Sequence, residues 1–247
     1  MSTAGNAPFT WDYGVQDGLP VLTLSGTLTM AADGLLHEAV ARARRRNQAA
    51  MLIDVSALVV TEGAAVAVFT GLMAEALRWP DVLVLICAPT ADLTALLDAE
   101  VLDPRLLFGS LAEGRAAGLV EFSPVTEELL PVAGAARWAR NVVTGACLRW
   151  DEPGLVGPAA LVASELVTNA AIHANTMVTM QVRLRPCHLY VGVFDGSAAH
   201  AVMRDSRPAH EGGRGLQLVD AVSAAWGSTS LPTGKVVWSA LARPAIH

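Results

Sequence analysis

At 247 residues, 53% hydrophobic and 16% charged, the chain lies outside the low-hydropathy, high-charge range of disordered proteins and is long enough for two domains of ordinary size. Its 17 basic and 23 acidic side chains leave it mildly acidic, which excludes a broad positive field for phosphate backbones and so disfavours direct nucleic-acid binding. No signal-peptide pattern opens the sequence, and Glu62, Glu75 and Arg78 interrupt its most apolar stretch, so a cytoplasmic protein with no membrane span is expected.

The first half alternates short β-rich runs with helical ones. Residues 21–25 read as a strand, 31–45 as a helix and 51–55 as the next strand. Arg42, Arg44, Arg45 and Arg46 crowd the end of that helix, where cations complement the helix dipole. The pattern then repeats: a helix over 64–78 that stops at Pro80, a strand over 82–88, a helix over 91–99, a short run over 105–108 and a last helix. Such alternation predicts an α/β domain with parallel connections.

Around residues 114–131 the composition turns to Gly, Glu, Ser and Pro, which puts a domain boundary near Gly118 and leaves the apolar run 119–122 to open a second sheet. A helix over 132–148, a turn at 151–154 and a helix beginning near Gly157 follow. Val178, Met180, Val182 and Leu184 alternate with polar neighbours and pair with a strand over 189–194 across a turn at 185–187, a hairpin with one buried face. The chain closes with a helix over 216–226, whose Leu216, Val219, Val222 and Trp226 share a face, and a strand over 235–241. The three cysteines, Cys87, Cys147 and Cys187, are far apart and suit buried thiols rather than a disulfide or zinc framework.

Glu165, Asn169 and His173 recur every four residues, which puts them on one stripe of a helix beside the apolar stripe Val162, Leu166 and Ala170. A stripe of this kind also suits a solvent-facing surface. Asp195 ends a strand in V-F-D-G-S, where its carboxylate can take a hydrogen bond from a ligand or simply close a turn. E-G-G-R-G-L sets Gly212, Gly213 and Gly215 ahead of the helix from Leu216. Glycines permit close backbone approach and a helix N-terminus offers N–H groups to an anion, although the same composition makes an ordinary loop.

In this order and spacing, S-E-L-V-T-N-A-A-I-H-A (164–174), V-F-D-G-S, E-G-G-R-G-L-Q-L-V with Trp226-Gly227, and G-K-V-V-W (234–238) resemble the ATP-binding domain of bacterial anti-sigma regulatory serine kinases, a branch of the GHKL superfamily. The resemblance covers about half the chain. It implies a Bergerat α/β sandwich over 119–243, with helices on one face of a mixed, largely antiparallel sheet. It implies that Asn169 binds Mg²⁺ beside the ATP phosphates, that Glu165 is the general base for a seryl or threonyl hydroxyl, and that Asp195 holds the adenine amine. Gly212, Gly213, Arg214, Gly215 and Leu216 would bind the nucleotide, with Gly213, Arg214 and Gly215 as the lid over its phosphates. His173 is expected to support helix packing, and Lys235, the only lysine in the chain, to snorkel at the surface rather than approach the phosphates. After Asp195 the family's D-x-G-x-G reads D-G-S-A-A, with Ser197 and Ala199 at the glycine positions, which implies a stiffer adenine-side lid.

G-T-L-T (26–29), M-L-I-D-V-S (51–56) and L-F-G-S-L-A-E-G (107–114) make the stretch 9–117 similar to a STAS domain of the anti-sigma-factor antagonist type. In that family a serine in a D-S-S-G or D-S-T-G loop accepts phosphate. Counting from Asp54, the corresponding stretch here is E-G-A-A (62–65), so Gly63 stands at the acceptor position and Thr61 is the nearest hydroxyl. The two resemblances imply a cytoplasmic partner-switching regulator that binds Mg·ATP and phosphorylates a Ser or Thr of a separate STAS-type antagonist. A sigma factor is a further partner in such systems, and a homodimer stays open. The alternative is a non-catalytic, nucleotide-dependent protein-binding module.

Overall fold

A computed structural model describes residues 7–46, 50–61, 63–78, 81–99, 102–119, 124–174, 176–197 and 215–244. The chain divides into two compact units, 1–121 and 122–247, so the change of unit falls just beyond Gly118.

In the first unit β1 (Thr10–Gln16) and β2 (Leu19–Thr27) form an antiparallel hairpin. Its turn, Asp17 and Gly18, has φ of 50° and 84°, the two-residue geometry whose twist matches that of the strands. No strand is expected here from hydrophobic periodicity, because β1 is an edge strand with mostly exposed side chains. The Asp-Gly pair is the signal that marks it. From β2 onward the pairings are parallel, through β3 (Ala50–Val59), β4 (Leu83–Cys87) and β5 (Leu107–Phe108), in the order β1-β2-β3-β4-β5.

The helices α1 (Asp33–Arg45), α2 (Ala67–Ala76), α3 (Ala91–Ala99) and α4 (Leu111–Gly118) link these strands. Parallel strands buried on both faces need apolar residues at every position, and β3 supplies them. Met51 and Ile53 pack with Leu36, Val40, Phe69 and Leu72, while Ala50 and Leu52 join Leu19, Val21, Leu85 and Cys87 in a second cluster against which Leu111 packs. Arg44 donates to the Glu75 carboxylate at 2.8 Å and to its carbonyl at 2.7 Å, and the Arg42 guanidinium lies 4.9 Å from the centre of the Tyr13 ring. These two arginines therefore serve packing as well as the helix end.

The second unit runs β6 (Val125–Leu129), α5 (Ala135–Arg149), α6 (Val156–His173), β7 (Val178–Leu184), β8 (His188–Asp195), α7 (Gly215–Val222), β9 (Ala225–Leu231) and β10 (Gly234–Ala242). Its sheet order is β6-β7-β8-β10-β9. Every pairing among the described residues is antiparallel, not mixed. Met180, Val182, Val191, Val193 and Val237 pack with Val162, Leu166, Val167 and Ala170 of α6, so the helix-bearing face holds the core. That core stabilises the unit by roughly 1.5–3 kcal/mol per buried aliphatic side chain before entropy is subtracted.

Three expectations change. Leu119 closes α4 and β6 opens the second sheet, while residues 120–122 lie outside the described ones. The last helix ends at Val222, where Ser223 turns its hydroxyl back onto the Val219 carbonyl at 2.5 Å. Trp226 thus belongs to β9, though it packs against the same core and donates Nε1–H to Asp220 at 2.7 Å. Finally, one helix, Pro153–His173, is by length and composition apolar enough to cross a membrane. Its Val162, Leu166 and Val167 line the core of this unit.

Candidate functional site

α6 is long because alanine is its commonest residue and no helix breaker interrupts it after Pro158 in its first turn. Its buried stripe is Ala159, Val162, Ala163, Leu166, Val167 and Ala170. Glu165 and Asn169 are partly buried at the edge of that stripe, and among the described residues neither has a hydrogen-bond or ion-pair partner. Ser164 beside them is engaged, accepting a hydrogen bond from Arg140 of α5 at 2.7 Å. His173 is exposed at the end of the helix and does not support packing, contrary to expectation, because α6 extends beyond its packed stripe there.

The structure brings Glu165 to the start of α7. A Cβ added at Gly215 would lie 2.5 Å from Glu165 Oε2, so only glycine lets the carboxylate sit there. A carboxylate against the first residue of a helix is favoured by the helix dipole. Leu216, the next residue, points into the unit's core rather than outward. Gly212, Gly213 and Arg214 lie outside the described residues.

Asp195 ends β8 almost fully buried, at 6% exposure. Its Oδ1 accepts the Ser197 backbone N–H at 2.8 Å and the Lys235 ammonium at 2.8 Å. Lys235 is 5% exposed, so the expected surface lysine is in fact half of a buried ion pair. The register explains it: Lys235 stands directly across from Asp195, one step beyond the Val193–Val237 pair and on the same helix-bearing face. Gly196 follows, its N–H held by Thr176 Oγ1 at 3.0 Å. Gly234, at φ 141°, lets β10 begin against the Asp195 carbonyl, which a side chain would strike. Lys235 and Thr176 are the members of this cluster that motif reading did not assign, and the pairing of G-K-V-V-W with V-F-D is the signal that could have found the lysine.

Among the described residues no group of three or more His, Cys, Asp or Glu could hold a metal by itself. Asn169 offers one amide oxygen, a donor set that suits a Mg²⁺ keeping most of its octahedral shell from water and phosphate. In the first unit Gly63 opens a 3-10 turn after β3 and is exposed, as is Thr61. The thiols are not reactive groups. Burial, and then Asp54, push Cys87 up to about 12, and burial with Glu152 pushes Cys147 up to about 11.

No family model and no curated protein matches the chain. Among solved structures it is similar in part to the crystal structure of an anti-sigma factor antagonist from Mycobacterium paratuberculosis, with a TM-score of 0.36 and 19% identity over 44% of this chain and 93% of that one. It is similar also to the Bacillus cell fate determinant SpoIIAA in its phosphorylated form, with a TM-score of 0.35 and 14% identity over 44% of this chain and 97% of that one.

Proposed function

We propose that the second unit is a Bergerat-type domain that binds Mg·ATP and phosphorylates a serine or threonine of a separate STAS-type antagonist protein. The observation that carries this reading is the pair Glu165 and Asn169, one helical turn apart and without a partner among the described residues, with the Glu165 carboxylate resting at the first residue of α7. A surface helix has no need of a glycine fifty positions on to admit its glutamate; a site that assembles a base beside a helix N-terminus does.

The chemistry follows from those groups. The acceptor hydroxyl oxygen attacks the γ-phosphorus, the bond from that phosphorus to the ADP oxygen breaks, and the hydroxyl proton passes to Glu165. Asn169 would hold Mg²⁺ through its amide oxygen, and the ion would supply charge neutralisation on the phosphates. Asp195 Oδ2, which takes neither the Ser197 nor the Lys235 bond, accepts the adenine amine. The first unit, with glycine where an antagonist carries its acceptor, serves as a docking module rather than as the substrate.

Calorimetric titration of Mg·ATP into the wild type and Asn169→Ala, with transfer of labelled γ-phosphate to an antagonist, tests the reading. Glu165→Ala is expected to keep nucleotide affinity and to lose transfer by about 10²- to 10⁴-fold, the range of a general base. An unchanged partner-binding phenotype in a variant that never transferred phosphate would instead establish the non-catalytic binding module. Stoichiometric phosphate on Thr61 would overturn the docking role of the first unit.

A further inference from the structure

We infer that Lys235 is a positioning residue for base recognition: by holding Asp195 Oδ1 it leaves Oδ2 as the one carboxylate oxygen able to accept the exocyclic amine of a purine. The inference rests on the proposed adenine contact of Asp195 and adds a residue that the motifs do not assign.

Taking a carboxylate and an ammonium out of water costs several kcal/mol per ion, and an apolar pair of similar volume usually stabilises a fold as well or better. This sheet supplies the comparison itself, because the preceding cross-strand pair on the same face is Val193 with Val237. A purely structural pair at the next step could be apolar too. Instead the chain places its only lysine there, 2.8 Å from Oδ1 and 3.4 Å from the Ser197 carbonyl, with both side chains nearly inaccessible.

Two donors converge on the same oxygen, the Lys235 ammonium and the Ser197 N–H. Together they lock the carboxylate rotamer. A carboxylate oxygen accepts hydrogen bonds and donates none. That is the property that selects an amine: a 6-amino purine donates to Oδ2, whereas a purine with hydrogen there offers nothing and one with a carbonyl meets an acceptor. Without the lysine, the carboxylate would be held by the Ser197 N–H alone and would be free to rotate.

The test compares Mg·ATP with the Mg complex of purine riboside triphosphate, which lacks only the amine, by calorimetry on the full chain as wild type, Lys235→Met and Lys235→Arg. The wild type should prefer ATP by about 10- to 100-fold, the value of a hydrogen bond to a charged group. Lys235→Met should lose that preference while still binding the amine-free nucleotide, and Lys235→Arg should recover part of it. A folded Lys235→Met that keeps the full preference overturns the role of Lys235 and leaves the adenine contact standing, whereas a wild type with no preference overturns both. Should Lys235→Met fail to fold, wild-type chain labelled with ¹³C-lysine carries one lysine Cε resonance. That resonance should move with saturating ATP more than with purine riboside triphosphate, and equal or absent movement overturns the proposal.

Discussion

Each unit carries an aspartate on the middle strand of its five-stranded sheet, Asp54 on β3 and Asp195 on β8, and the two begin alike. In both, Oδ1 accepts the backbone N–H two residues on, from Ser56 at 3.0 Å and from Ser197 at 2.8 Å. The likeness ends at the neighbouring strands. Asp54 faces Thr23 and Cys87 across parallel ladders, and its charge adds to the burial that raises the Cys87 thiol. Asp195 faces Lys235 across an antiparallel ladder and becomes half of a buried ion pair. Local turn chemistry makes an aspartate that closes a strand; the residue across the ladder decides whether it is also a fixed acceptor.

The contrast can be broken most directly at Asp195. Asp195→Ala leaves the Lys235 charge buried and unpaired, at an expected cost of about 3–5 kcal/mol in denaturant unfolding, while the double change Asp195→Leu with Lys235→Met should cost far less. A loss in the single variant no greater than in the double would show that the pair is not coupled. In the first unit burial, with the Asp54 charge adding to it, raises Cys87 from its ordinary 9.0 to about 12 in the folded chain. The unfolded chain ionises this thiol first, so its contribution is complete below pH 9 and declines toward pH 12 by about 1.4 kcal/mol per unit. Cys147, raised to about 11, adds to the decline, so unfolding free energies should fall from about pH 9 to 11 with more than that slope, and Cys87→Ala should remove about half of it.

Gly215→Ala comes next. Its new Cβ meets the carboxylate end of the flexible Glu165 side chain, which must swing aside, at an expected cost of about 1 kcal/mol in thermal stability. The cost should shrink in a Glu165→Ala background; strict additivity of the two changes would place that carboxylate elsewhere. A comparably small effect belongs to Asp54→Ala, which removes one exposed hydrogen bond worth about 0.5–1.5 kcal/mol. A loss matching that of Asp195→Ala would erase the distinction between the two aspartates.

Much of this molecule is written in short-range pattern. Val178 to Leu184 alternate so regularly that β7 has the bounds its period implies, and the stripe of Glu165 and Asn169 beside Val162, Leu166 and Ala170 follows from 3.6 residues per turn. These features are legible because a helix or a half-buried strand imposes its own repeat on the residues that form it. β1 escapes that logic as an exposed edge, and Trp226 lies in β9 although its spacing from Leu216 fits a helix face as well as a strand that returns to the same core. The pairing of Asp195 with Lys235 and the meeting of Glu165 with Gly215 could not come from periodicity, since forty residues separate the first pair and about fifty the second. The amino-acid pattern by itself determined the helices, most strands and the polar stripe of α6. Only the tertiary structure decided which of those polar groups meet, because register across a sheet and the seating of one helix against another are settled by the packing of the whole core.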